Sequence, residues 1–199
     1  MSLELVFATT NEGKLREVRA IAADACWRVV SMAQAGIHAN IVEDGATFEE
    51  NALKKARAIM QATGKAAMAD DSGLEIDCLD KKPGVHSSRF LGENTPYHIK
   101  HQKILDMLKD TPAHQRTARF VSVVAAVFPD GRTITARGEL AGAIAFEAKG
   151  TGGFGYDPLF YLPEWGMTLA EMPPEQKNAL SHRRQAFDKI KQELDGMVR

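Results

Sequence analysis

Carboxylates, lysines and one glycine-rich loop occupy short stretches of this sequence whose composition suits the handling of phosphates and a hard divalent cation. In 70-DDSG-73, two adjacent aspartates follow the apolar run at 66–69. Side chains alternate along a strand, so Asp70 and Asp71 cannot both point the same way if the strand continues. One then faces a cleft while its neighbour anchors the turn. Their hard oxygens suit Mg2+, which keeps several waters and usually takes only one or two protein carboxylates beside substrate phosphates. Glu43 is a natural second ligand. In isolation, DDSG is more often a plain Asx turn.

Cations gather in three further places. The stretch 9-TTNEGK-14 offers backbone N–H groups, the Asn11 amide and the Lys14 ammonium to one anion, helped by the N-terminus of a following helix. It is not a Walker A loop, and a simple helix cap with a solvated lysine explains it as well. Asn51 and Lys55 stand four apart and share a helix face, although a lysine so placed is usually solvated. In 177-KNALSHRR-184, Lys177, His182 and Arg183 gather around a cap at Ser181; Arg183 offers a planar fork of donors and neutral His182 one donor and one acceptor. Alone, this too reads as a charged helix start.

The loop 150-GTGGFGYDPLF-160 matches the dinucleotide fingerprint G-x-G-x-x-G at Gly150, Gly152 and Gly155. That motif needs a helix after the loop to meet the pyrophosphate. Two prolines and an aromatic run after Gly155 favour an extended segment instead. Carboxylates for a cation, ammonium groups for phosphates and an aromatic in a glycine-rich loop for a base together describe a nucleoside triphosphate site. G-x-S-x-G, HExxH and a cysteine beside a histidine are all absent, so covalent and zinc chemistry have little support.

The elements that must position these groups follow from periodicity. Residues 3–8 read as a strand, and 13–24 as a helix with Leu15, Val18, Ile21 and Ala22 on one face. A second strand fits 27–31. Thr47 with Glu50 forms a capping-box pattern for a helix that runs to about Thr63 and ends at Gly64, after which 66–69 forms the next strand. Thr95-Pro96 opens a helix to about Lys109. Residues 116–145 read as a long β-hairpin turning at Pro129-Asp130-Gly131, and 181–194 as a closing helix after the break at Pro173-Pro174. The order predicts an α/β fold, a mixed, strongly twisted sheet with helices on both sides, in a single domain with two lobes.

Composition bounds the partners. With 25 Lys+Arg against 26 Asp+Glu, the formal charge of -1 provides no global field for nucleic acid. The longest apolar run falls far below the roughly 20 residues that cross a bilayer, and the N-terminus starts no signal peptide, so a cytoplasmic location is expected. Cys26 and Cys78 read as buried thiols rather than a disulfide or a zinc site.

As a set, these stretches closely resemble the inosine triphosphate pyrophosphatase family, which acts on XTP, dITP and other non-canonical purine nucleotides. Its [ST]-x-N-x-x-K appears as Thr9-Thr10-Asn11-Glu12-Gly13-Lys14, its N-A-x-x-K as Asn51 to Lys55, and its ADDSGL as Ala69 to Leu74. Its P-G-[IV]-x-S-[AS]-R-[YF] is Pro83 to Phe90, its GTGGFGYDP is Gly150 to Pro158, and its SHR is Ser181 to Arg183. The resemblance covers nearly the whole chain. It implies an elongated α/β fold whose lobes flank a nucleotide cleft, a homodimer, and Mg2+-dependent hydrolysis of a purine triphosphate to monophosphate and pyrophosphate. It implies further that Asp71 is general base and metal ligand, that Glu43 binds metal and that Asp70 supports the pair. Lys14, Asn11 and Lys55 would hold phosphates within a substrate set that includes Thr9, Thr10, Glu12, Gly13 and Ser72. Phe154 would stack on the base, with Gly155, Tyr156, Asp157, Lys177, His182 and Arg183 around it, and the loop glycines would let the backbone bend close to the purine. A pyrophosphatase for other modified nucleotides and a non-catalytic nucleotide-binding protein are the alternatives. Two departures stand out: Thr10 where many relatives carry glycine, and Arg184 where glycine commonly follows SHR.

Overall fold

The computed structural model describes residues 3–39 and 41–198. Strand β1 (Leu3–Phe7) leads into helix α1 (Glu12–Ile21), and β2 (Trp27–Ser31), α2 (Phe48–Thr63) and β3 (Ala67–Ile76) follow. Then come α3 (Tyr97–Met107), the long strands β4 (Thr117–Val127) and β5 (Thr133–Ile144), the short strands β6 (Phe160–Leu162) and β7 (Met167–Thr168), and helices α4 (Pro174–Leu180) and α5 (His182–Val198). Seven strands form one sheet in the order β2-β1-β3-β4-β5-β6-β7. β1 runs parallel to both neighbours, whereas β5, β6 and β7 pair antiparallel. The expected mixed α/β sheet is present.

The chain divides into two compact units. One comprises the residues up to Asp71, Ser122–Gly138 and those from Arg183 on; the other comprises Ser72–Val121 and Glu139–His182. In the first, α1 turns Leu15, Val18 and Ile21 and α5 turns Phe187, Ile190 and Leu194 onto Leu5, Phe7 and Met68. Phe7 and Phe187 meet edge to face at 5.9 Å. The core of the second gathers Leu74, Ile76, Ile104, Phe120, Ile144, Leu159 and Phe160, with Phe120 and Phe160 rings 4.6 Å apart. Burying one such aromatic or branched side chain stabilises by about 1.5–3 kcal/mol, so either set far outweighs any single surface ion pair.

Several boundaries differ from expectation. α1 starts at Glu12 and stops at Ile21, because Asn11 is the cap: its side chain accepts from Lys14 N at 3.1 Å. β3 continues to Ile76, so the two aspartates sit inside a strand and not at its end. The Thr95 hydroxyl donates to Leu91 O and leaves α3 to begin at Tyr97. Pro173-Pro174 opens a helix as well as closing what precedes it, since Pro174 takes the first position of α4, where a missing N–H costs nothing. Residues 156–159 form a turn before β6. Neither cysteine is in a disulfide, and both are exposed rather than buried; Cys26 Sγ donates to Asp195 Oδ1 at 3.1 Å. Among the described residues no helix is long and apolar enough to cross a membrane.

Candidate active site

Strand alternation separates the two aspartates as the sequence requires, and each collects its own partners. Asp70, 1% exposed, takes Lys14 Nζ at 2.8 Å and Arg183 Nε at 3.3 Å on the same oxygen. Arg183 also grips Glu17 with Nη1 at 2.6 Å. Burial works to raise the Asp70 carboxyl, but Lys14, Arg183 and Lys55 outweigh it and hold the group well below the usual carboxylate range. Burial and the neighbouring cations Arg183 and Lys55 lower Lys14 despite its bond to Asp70.

Asp71 faces a different set. Asn51 Nδ2 donates to its Oδ2 at 3.0 Å, and Lys55 Nζ stands 3.7 Å from Oδ1 while bonding Glu43 Oε1 at 2.6 Å. Burial raises the Asp71 carboxyl above its ordinary value, and the like charge of Glu43 adds to this against the pull of Lys55. Burial opposes the charge on Lys55, yet Asp71, Asp70 and Glu43 together raise it. Adjacent residues of one strand are thus driven apart in basicity: Asp70 stays ionised, and Asp71 is the more ready proton acceptor.

Local sequence explains how Glu43 arrives there. The fully buried Asn51 accepts from Gly45 N at 2.8 Å with the carbonyl of the side-chain amide whose nitrogen holds Asp71. A Cβ on Gly45 would stand 2.7 Å from that Asn51 oxygen, so glycine is required for the loop to dock on α2. Thr47 caps α2 through Glu50 N at 3.1 Å, and Glu50 returns a bond to Ala46 N at 2.7 Å. The two carboxylates meet at one cationic position, held by Lys55. That donor set fits a hard divalent ion that completes its shell with water and phosphate. Among the described residues no three His, Cys, Asp or Glu side chains converge into an all-protein metal cage.

The second unit gathers the other expected residues. Asp157 Oδ2 accepts from Phe154 N at 2.7 Å and from Lys177 Nζ at 2.6 Å, and Lys177 Nζ lies 4.7 Å from the Phe154 ring centroid. The ring is 53% exposed on top of this ion pair. Gly153, at φ 71°, leaves room for the pair: a Cβ there would fall 2.1 Å from Asp157 Oδ2 and 3.0 Å from Lys177 Nζ. Gly150 and Gly152 lie against the backbone of Ala170, and Gly152 N donates to Ala170 O at 2.9 Å. These glycines therefore bring the chain close to itself; their tight packing is against Ala170, Asp157 and Lys177. His182 stacks on Phe120 at 4.9 Å.

Four of the expected residues have definite partners within the fold. Arg183 belongs to the first unit, is 3% exposed, and bonds Asp70 and Glu17. Tyr156 is buried, its hydroxyl donating to Ser87 O at 2.8 Å, so it serves as a pillar under the loop. Asp70 supports Lys14 and Arg183 more directly than it supports Asp71. Gly13 serves the cap, since a Cβ on it would sit 3.1 Å from Asn11 Oδ1. Thr9 Oγ1 accepts from Asn11 N at 3.1 Å, while Thr10 and Glu12 are exposed and Ser72 is half-buried in β3. Arg184 is spent on Asp188 one turn along α5. Asn51 was legible as a helix-face partner of Lys55 and in the N-A-x-x-K stretch, whereas Glu17 was missed, its one local signal being that it stands three residues after Lys14.

The Ham1 family model matches residues 5–193. The chain belongs to the Ham1 family. This Ham1 chain is 48% identical over 190 residues to the dITP/XTP pyrophosphatase of Geobacter sulfurreducens, covering 96% of each, and 46% identical over 193 residues to that of Desulforamulus reducens, covering 97% of this chain and 96% of the relative. Among solved structures, a HAM1 protein from Coxiella burnetii matches with a TM-score of 0.90 at 39% identity, covering 96% of this chain and 98% of its own.

Proposed function

We propose that this Ham1 chain hydrolyses the non-canonical purine nucleoside triphosphates ITP, dITP and XTP to monophosphate and pyrophosphate. It does so with Mg2+, as a cytoplasmic homodimer, and so clears such nucleotides from the pool. The name dITP/XTP pyrophosphatase borne by relatives at 46–48% identity supports the substrate class. The observation that carries the chemistry is the division of partners at Asp70 and Asp71: one carboxylate is held by Lys14 and Arg183, and its neighbour is oriented by Asn51 beside Lys55 and Glu43.

Asp71 takes a proton from the attacking water, whose oxygen bonds to the α-phosphorus as the bond to the bridging oxygen of the pyrophosphate breaks. Asn51 fixes the Asp71 carboxylate in orientation, and Lys55 carries positive charge beside it. Lys14, anchored on Asp70, presents an ammonium to phosphate oxygens. Glu43 and Asp71 would hold Mg2+, which when bound neutralises charge developing on the leaving group. Phe154 gives a purine a flat, accessible face, and Lys177 and His182 supply donors. Hypoxanthine and xanthine carry a 6-keto acceptor where adenine carries an amino donor, so those donors leave ATP with unpaired polar groups.

Asp71→Asn tests this directly. Pyrophosphate release from ITP should fall by about a thousandfold or more, as for loss of a positioned general base, while ITP still binds in calorimetry. Retained turnover removes Asp71 from the base role.

A further inference from the structure

We infer that His101 is a positioning residue for the base-binding loop, acting through the Gly155 carbonyl. The inference rests on reading Phe154 and Asp157 as the base site. His101 Nε2 lies 2.8 Å from Gly155 O. A carbonyl only accepts, so the imidazole must carry its proton on Nε2. Burial pushes His101 below the ordinary histidine range, which keeps the ring neutral and in that tautomer.

The loop depends on tethers of this kind. Gly150, Gly153 and Gly155 all adopt positive φ, a conformation that glycine enters freely and leaves as freely. Gly152 N is tied to Ala170 O, and Phe154 N to Asp157. The bond from His101 is a further tether, next to the ring proposed to stack. Tyr97, one turn earlier on α3, closes the same side: a Cβ on Gly155 would be 3.7 Å from its ring, and Tyr97 meets Tyr156 edge to face at 5.3 Å.

α3 is itself held where it can serve as a fixed post. The almost fully buried Lys100 donates to Ser88 O at 2.6 Å, and Tyr156 donates to Ser87 O. The Ser87 hydroxyl accepts from Leu74 N at 2.9 Å and donates to Gly84 O at 2.6 Å. His101 and Tyr156, on successive sides of Gly155, thus fix the loop to a turn that β3 anchors.

The experiment compares His101→Leu with His101→Gln, whose amide nitrogen has the same reach and can donate the same bond. His101→Leu should raise KM for ITP about tenfold and leave kcat within about twofold, the effect of one lost hydrogen bond on binding. It should also narrow the preference for ITP over ATP and speed amide exchange at Gly152 and Phe154; His101→Gln should restore all three. Unchanged KM and exchange in a folded His101→Leu protein, or a His101→Gln variant as impaired as the leucine one, overturns the inference. If the wild type fails to turn over ITP while exchange still responds to His101→Leu, the proposed substrate fails and the tether stands.

Discussion

Asp70 shows how a charge can be buried without being lost. Water is excluded, but Lys14 at 2.8 Å and Arg183 at 3.3 Å replace it on one oxygen. Its folded carboxyl is held below the unfolded value of about 3.9, so the stabilisation is complete above roughly pH 4 and fades as pH falls toward the folded value. Asp70→Asn leaves two cations facing a neutral amide and should destabilise by about 3 kcal/mol at pH 7, or roughly 6–12 °C in Tm for a chain this size. Thermal melts across pH should show the gap between wild type and variant narrowing below about pH 4. A gap that stays constant down to about pH 3 contradicts this role for the ion pairs. The pairing itself was only half legible. Adjacent aspartates on a strand imply opposite partners, but nothing local says that Arg183, 113 residues away, supplies one of them.

At the scale of elements, α2 and the glycine loop carry the contrast between what sequence can and cannot show. The capping residue Thr47 and the left-handed Gly64 bound α2 as predicted, because caps are local chemistry. The length of β3 was missed because two aspartates look like the end of a strand until Lys14, Arg183, Asn51 and Lys55 are there to satisfy them. The loop glycines suggested close approach to a purine; the atoms that crowd Gly150, Gly152 and Gly153 within the chain are those of Ala170, Asp157 and Lys177, which no local pattern announces. Gly153→Ala should therefore displace the Asp157–Lys177 pair and raise KM for ITP about tenfold or more. Gly131→Ala is the control, with positive φ but no atom within 4 Å of the added Cβ. It should share the backbone strain, of order 1 kcal/mol, and keep its KM. Equal KM effects in steady-state kinetics would mean that strain alone, not the ion pair, governs binding.

Over the whole molecule, the α/β class and the order of the sheet's main elements were readable because their periodicity is strong; the short strands β6 and β7, of three and two residues, are set by neighbours and not by pattern. The first unit holds the carboxylates and ammonium groups suited to a triphosphate, and the second holds the exposed aromatic and its ion pair. In the proposed function purine selectivity and anhydride cleavage fall to these separate sets of residues, and a single assay can address both. With Mg2+ present, kcat/KM should be compared for ITP, XTP, GTP and ATP, counting pyrophosphate apart from orthophosphate. The account predicts pyrophosphate as the product and a preference for ITP and XTP over ATP of about a hundredfold or more, as expected when buried donors lose their acceptor. Orthophosphate as the product, or equal use of ATP, would contradict it.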